Sequence, residues 1–289
     1  QGEALNRLAL AKSVVAKTDL RLGQVLTEED LDIKSPGRGL QPNRMQDLVG
    51  VVLQRPMRAG DFFFETDVEE SSSQRRNYSF RRPWGLPVRF HDWESLVQET
   101  NPDFLEFHLS YRDLDVDIDS ALDGILPLGL VVHSPDLFAD DLILDLASED
   151  ESVRDRSIVE LQRVVDFTER LRPHFLNQGK TLLVASLGGS TLDRPLVKSE
   201  KSHRYQLVLD SLERLNLKNV ELVAQTLPPF PWYMGGQRYC NLFVEPDELA
   251  AFADASGLSL CLDLAHTKLA CSHLKQNFLG AIEILLPYV

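Results

Sequence analysis

Residues 129–135 read Gly129-Leu130-Val131-Val132-His133-Ser134-Pro135, an aliphatic run that ends on an imidazole and is stopped by a proline. A short apolar run bounded by turn residues reads as a strand. The same unit recurs from Leu86 onward: a short aliphatic run, a polar turn, then a helix-length amphipathic stretch. The pattern predicts strands over 86–90, 104–108, 129–133, 181–186, 219–225 and 259–263. It predicts helices over 157–171, 205–215, 246–255 and 274–286; in the first, Ile158, Leu161, Val165, Thr168 and Leu171 repeat at helical spacing. Parallel strands joined by helices form either a doubly wound sheet or an eight-fold barrel. Several strands end on a polar or titratable residue: Glu106 with His108, His133, Ser186, Gln225 and Asp263. That favours the barrel, whose working face is built at the C-terminal strand ends. Six strands are legible where a closed barrel has eight. Two further strand–helix units are therefore expected beyond Val289, since a six-strand ring would expose apolar edges.

The composition is that of a globular protein: 289 residues, 43% hydrophobic and 26% charged. That length accommodates two domains. Thirty basic against 44 acidic residues give a net charge of −14, which sets the chain against phosphate backbones, so no nucleic-acid partner is expected. No apolar run approaches the roughly 20 residues that cross a bilayer, so no membrane partner is expected either. The three cysteines, Cys240, Cys261 and Cys271, are odd in number and lack C-x-x-C spacing. A reduced, cytoplasmic setting fits them better than a disulfide framework. Gln1 stands first with no Met, so the sequence is expected to be a piece of a longer polypeptide.

The style changes near residue 71. Before it come short β-type runs and turns, and between the two styles lies the polar Ser71-Ser72-Ser73-Gln74-Arg75-Arg76-Asn77, then Arg81-Arg82-Pro83. This suits a linker over 71–83; the alternative is that its four arginines grip an acidic surface. The first seventy residues carry a repeat with an offset of 37. Val14-Val15, Gly23 and Asp30-Leu31 recur as Val51-Val52, Gly60 and Asp67-Val68. Gly23 and Gly60 are placed in turns, where glycine takes positive φ without strain. Thr27 with Asp30 reads as a helix-start box, and Phe62-Phe63-Phe64 as strand core.

These residues carry a resemblance. Val15-Ala16-Lys17, Asp19-Leu20, Gly23, Val25-Leu26-Thr27, Glu29-Asp30-Leu31 and then Lys34, Pro36-Gly37 and Gly39 resemble the SAF, or antifreeze-like, domain of sialic acid and other nonulosonic acid synthases. The resemblance spans residues 8–68 and implies a β-clip fold over 1–70 that leans over the neighbouring subunit's active site in a homodimer. It also implies a condensing barrel ahead of Gln1. In that family a basic side chain before the Pro-Gly pair contacts an acylamino sugar; here the position is Ser35, and Arg38, three residues on, is the candidate substitute.

In the larger half, Cys261-Leu262-Asp263-Leu264-Ala265-His266 sets a carboxylate at a strand end and an imidazole three residues on. So placed, both can face a barrel mouth and share one divalent cation. The alternative is an Asp that caps the next helix, with His266 bonded locally. His133 is a second strand-end imidazole, or else a satisfied half-buried histidine. Glu106 and His108 alternate with Leu105, Phe107 and Leu109, so both point to one face, inward if those three pack under the helices. An inward carboxylate needs a metal, an arginine or a substrate as partner. The loop 227–241 carries Pro228, Pro229, Phe230, Pro231, Trp232, Tyr233 and Met234. Its aromatics either stack on a sugar ring or brace the barrel top. Gly188-Gly189-Ser190-Thr191 offers backbone amides to a phosphate.

The Val-Val-His-Ser-Pro strand, the loop Gly235-Gly236-Gln237-Arg238 leading to Asn241-Leu242, and the Cys-Leu-Asp-Leu-Ala-His strand resemble the xylose-isomerase-like barrel superfamily of sugar isomerases, epimerases and endonuclease IV-type enzymes. The resemblance implies a (β/α)8-type TIM barrel over 84–289, with about six of eight units present. It implies a divalent metal (Mn, Zn or Mg) at Asp263, His266 and His133. Glu106, His108, Gln225, Trp232 and Arg238 are then the substrate-facing candidates. Two positions depart from the family: Ser186 stands where multi-metal relatives carry histidine, and Ala224-Gln225-Thr226 puts alanine in the place of a glutamate. The α/β chain therefore reads as part of a sialic-acid-synthase-like protein whose barrel binds or isomerises a sugar or sugar phosphate. The rival is a barrel that has lost catalysis and serves as a carbohydrate-binding or assembly module.

Overall fold

A computed structural model describes residues 11–68, 77–98, 100–122, 124–176, 179–233 and 236–289. The chain divides into two compact units, Gln1–Arg76 and Asn77–Val289. The first six residues of the expected linker, Ser71–Arg76, lie outside the described residues, as do Met234 and Gly235 of the aromatic loop.

In the first unit, strand β1 (Ser13–Ala16) pairs antiparallel with β2 (Leu31–Lys34). The 37-residue repeat folds as an approximate two-fold. Val15 bridges Phe62 and Val25 bridges Val52, each the image of the other under the offset, while Leu20 bridges its own image, Met57. The hydrogen bonds follow the same rule: Gly23 N donates to Leu53 O at 2.7 Å, and Gly60 N to Ala16 O at 2.7 Å. Gly23 and Gly60 sit at φ 80° and 92°, as the turns require. Asp30 accepts from both the amide and the hydroxyl of Thr27, closing the box expected there. Leu20, Leu26, Leu31, Leu48, Leu53, Met57 and Phe63 belong to its core. Of the three phenylalanines read as strand core, Phe63 alone is fully buried. Phe64 turns outward beneath the Arg55 guanidinium, 5.9 Å from its ring centroid.

In the second unit six parallel strands form one sheet: β3 (Gly85–Val88), β4 (Phe104–His108), β5 (Gly129–His133), β6 (Thr181–Ala185), β8 (Val220–Gln225) and β12 (Ser259–Cys261). Successive strands of this set are neighbours, in the order β12-β8-β6-β5-β4-β3. This is the arrangement of TIM-barrel strands. Among the described residues, β3 and β12 are the outermost strands of an open sheet. The intervening β7 (Ser190–Thr191) pairs with β11 (Tyr239–Cys240), and β9 (Trp232–Tyr233) with β10 (Gly236–Gln237), all within loops at one end of the sheet. Alternate strand residues pack under the helices: Leu105 and Phe107, Leu130 and Val132, Leu222 and Ala224. Phe107 is clasped between Phe90 and Phe175, with centroids at 4.9 and 5.8 Å. Among the described residues, no helix is long and apolar enough to cross a membrane.

The helices differ from expectation at their ends. The one predicted to begin at 157 starts six residues earlier and spans Glu151–Leu171, because Asp150 caps it by accepting from Ser152 N at 2.9 Å. The C-terminal helix expected over 274–286 forms over Phe278–Leu285, and a helix not expected from the pattern, Leu264–Leu274, precedes it. Lys275 takes the left-handed conformation between them (φ 57°), and Asn277 caps the second.

Candidate functional site

Strand alternation builds the site. Because Leu105 and Phe107 of β4 are fully buried against the helices, Glu106 and His108 stand on the opposite, concave face. Their side chains are 27% and 31% exposed, and His108 Nε2 lies 2.8 Å from Glu106 Oε1. The parallel register sets His133 of β5 level with His108. Their rings stack, with centroids 4.5 Å apart and planes at 19°. His133 Nδ1 lies 3.0 Å from Ser134 O; a carbonyl only accepts, so Nδ1 carries the proton and fixes the ring. Its Nε2 faces Gln225 Oε1 at 3.1 Å. Between them runs β6, whose Val184 is level with His133. Strands two apart are separated by about 10 Å, so two long polar side chains meet above a small apolar one. The Gln225 amide then donates to Asp263 Oδ2 over a long 3.5 Å.

Donor atoms of Glu106, His108 and His133 all lie within 4.8 Å of one another, and among the described residues this is the single such group of three. Asp263 and His266 stand apart from it. Asp263 caps the helix Leu264–Leu274, accepting from His266 N at 2.8 Å, and its own amide donates to Thr226 Oγ1 at 2.9 Å. His266 Nδ1 reaches Thr226 O at 2.8 Å, so that ring too is tied to backbone. The expected trio Asp263, His266 and His133 is therefore split: Asp263 Oδ2 and His266 Nδ1 stay 3.5 Å apart, and Gln225 stands between Asp263 and His133.

Burial raises the proton affinity of the Glu106 carboxyl, against the opposing charges of His133 and Arg89. Burial, reinforced by Glu106 and Asp263, pushes the Cys261 thiol up to about 11, so it stays protonated at neutral pH. The register also revises one expectation. Ala224 is fully buried on the helix side, so the side chain β8 presents at the mouth is Gln225, and alanine is not the functional replacement there.

Of the remaining candidates, Arg238 lies elsewhere in the second unit. Arg238 Nη1 is 3.4 Å from Ser190 Oγ, and with Asp145 and Arg156 it lines a separate cavity of about 340 Å³. The glycine loop expected to hold a phosphate already holds a carboxylate: Gly189 N donates to Asp145 Oδ1 at 2.8 Å. A Cβ on Gly188 would come within 2.2 Å of that same oxygen. Trp232 pairs through its backbone with Gln237 in the β9–β10 hairpin. Phe230 of the same loop packs edge-on against His273, at 4.5 Å, as a brace. Arg38 is exposed in a loop of the first unit, its amide donating to Pro36 O. A cavity of about 390 Å³ between the helices Lys198–Leu212 and Pro246–Ser256 is lined by none of the strand-end residues and is distinct from this site.

Two family models match the sequence: the SAF domain over residues 11–69 and the xylose isomerase-like TIM barrel over residues 95–280. No curated protein matches it. Among solved structures it is similar to D-psicose 3-epimerase with D-tagatose from Clostridium cellulolyticum H10, at 15% identity and a TM-score of 0.50, covering 72% of this chain and 71% of that one. It is also similar to endonuclease IV from Thermus thermophilus (15%, TM-score 0.45, 72% of each chain). A xylose isomerase domain protein from Planctomyces limnophilus is alike to a similar degree (14%, TM-score 0.47, 73% of each chain). At such identities the likeness concerns the fold alone.

Proposed function

The chain belongs to the xylose isomerase-like TIM barrel family, and from that premise we propose that its larger unit binds a sugar at the strand ends together with a divalent cation held by Glu106, His108 and His133. The convergence of those three donors carries the reading. One carboxylate and two imidazoles are a donor set suited to Zn2+ or Mn2+. The anchored Nδ1 of His133 is the outer hydrogen bond that such ligands use to orient the other ring nitrogen. A bound cation would polarise sugar oxygens as a Lewis acid. Gln225, with a donor and an acceptor at the mouth, orients a hydroxyl, and Asp263 lends that amide its direction.

The SAF domain supports a narrower reading, in which the protein works in acidic-sugar biosynthesis in the manner of sialic acid synthases, as a homodimer. A second reading has its own observation: the side chain at the mouth of β8 is an amide, which cannot serve as general base, and on that reading the unit binds sugar without turnover.

Titrating the metal-stripped protein with Zn2+ and Mn2+ by calorimetry, then with a ketohexose, tests both. One equivalent of cation and cation-dependent sugar binding are expected. An absence of cation binding overturns the first reading; binding with no epimer formed over long incubation selects the second.

A further inference from the structure

Strand β3 also delivers a polar residue to this end of the sheet. Pro87 is level with Glu106 and Val88 with Phe107. Val88 is buried in the helix-side core, and Phe90, two residues on, packs on Phe107. Arg89 lies between them, so alternation turns it to the concave face, next in the row after His108. Its backbone is fixed there. Its amide donates to Asp92 Oδ1 at 2.7 Å, and its carbonyl accepts from Trp93 N at 3.2 Å.

Its guanidinium is one of several in this unit without a carboxylate partner, but Arg154 and Arg170 donate instead to the carbonyls of Ser148 and Leu114, at 2.7 and 3.1 Å. Arg156, Arg163, Arg194, Arg204 and Arg214 of the same unit each lie within 4.0 Å of a carboxylate. Among the described residues Arg89 has no such ion pair; its side chain makes a single long contact, 3.5 Å to Val88 O. In a chain with 44 acidic and 30 basic residues, a guanidinium left unpaired at the mouth has its fork of donors available. The row Arg89, His108, His133, Gln225, Asp263 thus runs from a cation at the β3 end to a carboxylate at the β12 end. From β3 to β5 is two strand spacings, about 10 Å, the reach of a hexose with a charged terminal group.

We propose that Arg89 anchors an anionic group, carboxylate or phosphate, of the sugar bound at these strand ends, so that the site selects acidic over neutral sugars. The inference rests on the sugar-and-cation reading above and names its substrate class. Planar, bidentate pairing with either group is what a guanidinium provides and an ammonium does not.

Binding of D-fructose, D-fructose 6-phosphate and D-gluconate to the Zn2+-loaded protein tests it, alongside Arg89→Gln and Arg89→Lys. At least one anionic probe should bind about tenfold or more tightly than fructose, and the one preferred identifies the group. Arg89→Gln should erase that preference while leaving fructose and Zn2+ binding within about twofold. Arg89→Lys should keep a part of it. In the unsubstituted protein, raising salt should weaken the anionic probe and spare fructose, a readout that survives if the variants fail to fold. Equal binding of neutral and anionic probes overturns the inference and leaves the sugar reading standing, as does equal loss of both in Arg89→Gln. If no probe binds, the sugar reading itself falls and takes this inference with it.

Discussion

Two carboxylate–imidazole pairs stand at the same end of the sheet and are held in opposite ways. Glu106 and His108, two residues apart on one strand, bond to each other and leave donor atoms turned to the open face. Asp263 and His266, three residues apart across a helix start and 3.5 Å from each other, are also tied to backbone: Asp263 Oδ1 accepts from the His266 amide, and His266 Nδ1 meets the Thr226 carbonyl. Residue type and strand-end position are alike. What separates the pairs is whether the local backbone has unsatisfied groups of its own to offer, and a helix N-terminus always has. A ligand must compete with that cap at Asp263, whereas at Glu106 it competes with one partly exposed side-chain contact.

The largest expected effect tests the contrast directly. His133→Ala should weaken Zn2+ binding by about a hundredfold or more, since one ligand of three is removed. His266→Ala should change it less than about threefold, and should show instead as a lower thermal midpoint. Calorimetric titration with chelator competition measures the first, and thermal unfolding the second. A hundredfold loss in both variants would break the distinction and join the two pairs into one cation site. A smaller effect sharpens it. Asp263→Ala should cost about 1 kcal/mol of stability, the typical loss of a helix cap, while Asp263→Asn, which retains an acceptor, should cost a few tenths. Urea unfolding of the metal-free protein separates them. Equal destabilisation by both would mean that the charge of Asp263 matters and that its cap is incidental.

How much of this is legible in the sequence follows the same physics. Strand β4 can be read to the residue because Leu105, Glu106, Phe107 and His108 alternate cleanly, and the inward pointing of Glu106 and His108 comes with it; β5 is bounded by Gly129 and Pro135, but its Leu-Val-Val run does not alternate. The repeat of the first unit is legible because its glycine turns recur at a fixed offset. For Asp263 the pattern admits both ligand and cap, and the helix it caps leaves little trace. That helix buries Thr267, Ala270 and Cys271, small or polar residues that form no apolar stripe. At β8 the inward residue depends on a register that a run of Leu-Val-Ala cannot specify, so Ala224 draws the attention that belongs to Gln225. Arg89 escapes notice because the run that contains it reads as ending on the apolar Phe90. Nothing local to Asp145 announces that its partners are the amides of Gly189 and Ala147, the former 44 residues away.

Asp145 extends the contrast to its limit, a carboxylate almost wholly given to backbone. Burial raises its proton affinity, opposed by the two amides and by the charges of Arg204 and Arg238. The folded protein therefore holds this proton at pH values where the unfolded chain, with an ordinary carboxyl value of 3.8, has already released it. Where the native state binds more protons than the unfolded one, stability falls as pH rises. The loss begins near the ordinary value and is complete once the pH has passed the raised one. Asp145→Asn keeps an acceptor oxygen for both amides and carries no charge, so it should flatten this part of the profile. Compared with the unsubstituted protein, the variant should gain relative stability as pH rises from about 4 toward neutrality, followed by urea unfolding at several pH values. A variant that instead loses ground with rising pH would show that the attraction of Arg204 and Arg238 outweighs burial. Asp145 would then be stabilised by its charge, and backbone-held carboxylates in this unit would owe their place to ion pairing as much as to the amides they satisfy.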